Sequence, residues 1–167
     1  MKSLFAAIAA AALLGAALPA TAEPSPDDDL RLLGQTEEFA YFFADATRTA
    51  SGPNVDIWVL AALQRTTHTA EGDDVVGGWF RMRVNCSSGT VYSVESMLIR
   101  RDFTTTLHSS EPDPPQPARP DSPYGMLRDY VCSGVAIEPD VRATDLPDAL
   151  RLTRGLFAEP LGTNQAT

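Results

Sequence analysis

Lysine is all but missing from this chain of 167 residues, with Lys2 the sole example, and histidine and cysteine occur only twice each. Each shortage excludes something. With no basic cluster to offset a formal net charge of −9, the chain has no footprint for nucleic acid or for anionic lipid headgroups. The two cysteines, Cys86 and Cys132, lack the C-x-x-C spacing of a redox-active pair. His68 and His108 each stand alone in a polar stretch, so no metal site is expected, and no cofactor motif is present. Ser87-Ser88-Gly89 is not a G-x-S-x-G elbow and reads as a hairpin turn. Asp27-Asp28-Asp29 and Glu71-Gly72-Asp73-Asp74 lack the oxygen-ligand spacing of a calcium loop and read as solvated turns. A non-catalytic protein is the expectation.

What is there begins with an export signal. Lys2 is followed by an uncharged run from Leu4 to Leu18, too short to span a bilayer, and Ala20-Thr21-Ala22 has the small-x-small pattern of a cleavage site. Residues 1–22 are therefore expected to be a removable signal peptide. No cysteine lies near the cleavage site, which excludes a lipid anchor there. The remainder carries a net charge of −10 once Lys2 is gone, and is expected in the periplasm or outside the cell. An even cysteine count in an exported chain favours a Cys86–Cys132 disulfide over free thiols. One domain is expected for a chain of this size.

Residues 23–36 read as an N-terminal tether, Pro- and Asp-rich as far as Asp29. Phe39 to Ala44 is aromatic and strand-like, and Asp45 to Asn54 reads as a turn-rich connection to a second strand, Val55 to Leu63. Residues 64–74 read as a loop. Trp79 to Cys86 alternates most clearly, with Phe80, Met82, Val84 and Cys86 on one face and Trp79, Arg81, Arg83 and Asn85 on the other. Thr90 to Arg100 completes an antiparallel pair with it, and Asp102 to His108 supplies a further short strand.

Five prolines between Glu111 and Ser122 enforce an extended surface crossing. Ser122 then caps a helix with Pro123 in its first turn, running to Cys132 and stopping at Gly134, with Tyr124, Leu127 and Val131 turned to the sheet. Asp145, Pro147 and Asp148 begin a second helix that Gly155 ends, and residues 159–167 read as a flexible tail. Strands first and helices later give an α+β domain over residues 37–158, an antiparallel meander-like sheet packed on one face by a disulfide-tethered helix.

Two site readings follow. Asp56 and Glu95 lie on strands where carboxylates can approach across a sheet, although outward-facing charge is the default. Trp58 and Trp79 fall opposite the expected core face, Trp79 beside Arg81 and Arg83, which is the composition of a binding patch. The competing reading is that another helix or loop covers both tryptophans.

The aromatic strand Phe39 to Asp45, the V-x-I-W-V-L strand Val55 to Leu60, the strand ending in cysteine at Met82 to Cys86 and the helix ending Tyr130-Val131-Cys132 together resemble the surface-adhesin protein E-like family over residues 37–134. The resemblance implies an antiparallel sheet disulfide-linked to a helix and a binding role towards a protein partner. The family's namesake is a lipoprotein, whereas this chain lacks the lipid-bearing cysteine. An acidic periplasmic inhibitor of a cationic enzyme such as lysozyme is the alternative, and would bind in a salt-sensitive way.

Overall fold

The computed structural model describes residues 29–158, so the signal peptide, the tether as far as residue 28 and the tail at 159–167 lie outside the described residues. The chain runs β1 (Leu30–Gln35), β2 (Phe39–Ser51), β3 (Asn54–His68), β4 (Asp74–Asn85), β5 (Thr90–Arg100), β6 (Thr105–Ser109), β7 (Gln116–Pro117), α1 (Pro123–Ser133), β8 (Arg142–Ala143) and α2 (Leu146–Ala158). The strands form one antiparallel sheet in the order β6-β5-β4-β3-β2-β1-β8, with β7 also paired to β5. Each of the five hairpin partners follows its neighbour in sequence, so a meander is what short connections produce. The sheet greatly outweighs the helices.

The expected tether is corrected at its C-terminal part: Leu30 to Gln35 is a strand, not a free segment. Leu30 and Leu33 are fully buried, on opposite sides of the sheet. Arg31 locks the strand further, its guanidinium lying over the rings of Phe43 and Tyr130 while it donates to Asp140. The turn-rich reading of residues 45–54 and the loop reading of 64–74 are corrected in part, the turn narrowing to Gly52-Pro53 and the loop to residues 69–73. β2 continues to Ser51 past an irregularity between Ala44 and Thr49, where Thr47 bonds the Ala44 carbonyl and accepts from the Trp58 amide. β3 continues to His68.

Both faces of the sheet are covered, not one. α2 packs over Ala40, Phe42, Trp58, Leu60 and Trp79 through Leu146, Ala149 and Leu150. α1 packs on the other face over Phe43, Ile57, Val59, Met82 and Val84 through Leu127 and Val131. The registers Leu60↔Trp79 and Ile57↔Met82 show that the two helices sit over different halves of the central strands. α2 covers the half running to His68, and α1 covers the half nearer Asn54 and Asn85. Each face is thus left open at one end, at diagonally opposite corners.

α1 begins and ends as its capping residues dictate. The Ser122 hydroxyl accepts from the Gly125 amide, Pro123 occupies the first turn and Gly134 closes the helix at φ 67°. Gly125 is required for packing, because a Cβ there would lie 1.9 Å from the Arg119 carbonyl oxygen. α2 runs through Gly155 to Ala158, correcting the expected stop: a Cβ at Gly155 would meet nothing within 4 Å, and its backbone stays helical. Its N-terminus is held by Asp145, which accepts from the Asp148 amide at 2.7 Å. The Cys86–Cys132 disulfide is present, with Cα atoms 5.5 Å apart and a sequence separation of 46. Cys86 itself is exposed just beyond β4, not on an inward face, and so the bridge ties α1 to the β4–β5 turn.

Candidate functional site

Trp58 and Trp79 do not form a surface patch. Each is 1 % exposed, beneath α2, so the reading of an outward aromatic pair is corrected. The physical reason is that the sheet is buried on both sides, and the face opposite one core is itself a second core. Arg81 and Arg83 share that face but lie past the end of α2, where they are half-buried. Arg83 donates from Nε and Nη2 to the two carboxylate oxygens of Asp56, and Arg81 pairs with Glu95 at 3.2 Å. Asp56 and Glu95 therefore face separate arginines and form no carboxylate couple. The open corner on this side is a ladder of paired polar side chains, extended by the Asn85 amide bonding the Asn54 side chain at 2.9 Å.

The other open corner is different in kind. On the face that carries α1, beyond the helix, β2, β3 and β4 present Phe39, Tyr41, Leu63 and Phe80, all half-buried. Phe80 lies along the sheet surface, its ring beside Gly78, where a Cβ would come within 3.3 Å of Cε2. Tyr124, on the first turn of α1, meets Tyr41 edge-on with ring centroids 6.0 Å apart, and Tyr41 meets Phe39 at 6.0 Å. Tyr124 is not the core residue its helical spacing predicts, being 38 % exposed. α1 stands over Gly34 of β1, with Pro123 and Met126 at van der Waals distance from where its Cβ would lie.

The aromatic shelf continues into a cavity of about 330 Å³ beneath the proline-rich crossing. Its floor is Phe80, Met82 and Val91, and its walls are Tyr124 from α1 and Asp113, Pro114 and Pro117 from the crossing. The crossing is fastened to the sheet by the Asp113 amide donating to the Ser93 carbonyl at 2.8 Å, by the Ala118 amide donating to Gly89, and by the pairing of β7 with β5. Burial pushes the Tyr124 phenol up to about 12, with Tyr41 and Asp113 adding to the shift. Burial likewise raises the Tyr41 phenol, with Glu38 adding to it against a hydrogen bond from Thr36.

The histidines lie elsewhere. His68 Nδ1 contacts Asp74 Oδ1 at 2.7 Å where β3 gives way to β4, and His108 is on the edge strand β6. Among the described residues no three His, Cys, Asp or Glu side chains gather as a metal site. The shelf was missed in the sequence because Phe80 and Tyr124 fall in phase with true core residues. No protein-family model, no curated protein and no solved structure matches this chain.

Proposed function

We propose that this is an exported, non-catalytic binding domain, similar in role to the surface-adhesin protein E-like family, and that it holds its protein partner on the aromatic shelf and cavity beside α1. One observation carries the reading: Phe39, Tyr41, Phe80 and Tyr124 are left half-covered on one face and lead into a cavity of about 330 Å³, whereas Phe42, Phe43, Trp58 and Trp79 on the same central strands are buried. Aromatic side chains bring large apolar area at small entropic cost, which is why they dominate binding centres. The volume is that of a site for a side chain or a short segment. Export is supported by the N-terminal signal pattern and the disulfide, and no described helix is long and apolar enough to cross a membrane.

The test is capture of partners from an extracytoplasmic extract and from the growth medium, comparing the wild-type protein with Phe80→Ser/Tyr124→Ser. A partner retained by the wild type and lost from a variant that still folds is the expected result. Equal capture by both moves the site away from the shelf.

A further inference from the structure

The charges around the shelf are distributed in a way that its aromatic content does not require. Arg31, Arg83, Arg100, Arg101, Arg128, Arg142 and Arg151 are engaged in ion pairs with Asp140, Asp56, Asp73, Asp74, Asp129, Asp140 and Asp148 respectively. Carboxylates outside any ion pair among the described residues include Glu37 and Glu38, next to Phe39 and Tyr41 in sequence, Asp113, which lines the cavity, and Glu111, two residues before it in the crossing. All four are exposed. Glu38 and Asp113 act on the phenols of Tyr41 and Tyr124, which places negative charge at both ends of the ring cluster. Arg119 also lines the cavity, outside ion-pair distance of Asp113, and the crossing as a whole is acidic, with Glu111, Asp113 and Asp121 in its sequence against that one arginine.

Aromatic faces attract cations, and a carboxylate beside them strengthens that attraction by ordinary Coulomb energy. An anionic ligand would be opposed here by the local carboxylates and by the acidity of the whole chain. A purely apolar ligand would leave Asp113 desolvated without a partner. Resting on the reading that the shelf is the binding site, we infer that its occupant is a basic polypeptide segment, with an arginine or lysine side chain entering the cavity between Phe80 and Tyr124 towards Asp113.

The experiment uses five acetylated, amidated nine-residue peptides of glycine and serine carrying three arginines, three lysines, three glutamines, three glutamates or three leucines. Each is titrated into the ¹⁵N-labelled protein at low and raised salt, and amide shifts are mapped. The expected result is that the arginine and lysine peptides move amides of Phe39 to Phe43, Ser93, Asp113 and Gly125, while the glutamine and glutamate peptides do not. Glu38→Gln/Asp113→Asn, at exposed positions that leave the melting temperature unchanged, should weaken the arginine peptide at least tenfold. If the leucine peptide binds the shelf as well as the arginine peptide does, and the double variant changes nothing, the cationic preference is overturned while the shelf stands. Arginine-peptide shifts confined to the Glu71 to Asp74 turn would overturn it in favour of diffuse acidity. If no peptide moves a shelf amide, the inference falls. Partner capture by Phe80→Ser/Tyr124→Ser then decides separately whether the shelf falls with it.

Discussion

Arg83 on β4 and Asp56 on β3 face each other directly across the sheet, and the guanidinium donates to both carboxylate oxygens at 2.7 Å each. The hydrogen bonds to Asp56 raise the Arg83 guanidinium further above its ordinary value. Asp56 is buried while Arg83 is half-exposed, so the pair sits at the boundary where α2 stops covering the sheet. Replacing Asp56 by Asn keeps the shape and removes the charge. A loss of about 1–2 kcal/mol is expected, below the full value of a buried charged bond because water reaches the arginine. Urea unfolding of Asp56→Asn measures it, and an unchanged midpoint would show that the pair is held without contributing.

Trp79 makes a contrasting prediction. Under α2 and 1 % exposed, it is core and not contact surface. Trp79→Ala should destabilise the domain by about 3–5 kcal/mol, the range for truncating a buried large aromatic. The wild-type tryptophan emission should be blue-shifted and move red only on unfolding. A stable Trp79→Ala protein with altered binding would contradict the burial described above.

The Tyr124 phenol titrates late, at about 12 against an ordinary value of 10. Because the folded state holds the proton more tightly than the unfolded chain, its contribution to stability is complete below pH 10 and is lost as the pH rises towards 12. Absorbance near 295 nm should show a tyrosine step near pH 12, and Tyr124→Phe should delete it. If the late step survives that substitution, the hydroxyl is not sheltered.

Much of the fold is legible where local chemistry decides it. Ser122, Pro123 and Gly134 define α1 to within a residue, and the alternation of Thr90 to Arg100 defines β5. The class, antiparallel strands followed by helices, also follows from the order of patterns. Trp58 misleads because strand alternation along Val55 to Leu60 sets it opposite Val55, Ile57 and Val59. The stretch Ile57-Trp58-Val59-Leu60-Ala61-Ala62 carries no polar residue, and such a run signals burial on both faces. β1 was hidden because Asp27 to Asp29 runs straight into its six residues. The shelf could not be read at all, since it exists only because each helix is too short to cover its face, a property of tertiary placement and not of any segment.

The disulfide encloses the whole of β5, β6, β7 and most of α1, together with the proline-rich wall of the cavity. A protease that cuts one peptide bond anywhere from Ser87 to Val131 therefore releases nothing. The two pieces migrate as a single molecule until a reductant is added, and the nicked chain keeps β4, the crossing and α1 on one covalent frame. Among the described residues the long exposed stretch from Arg101 to Pro117 lies inside this loop, so the cuts it invites are those that do least to disperse the protein.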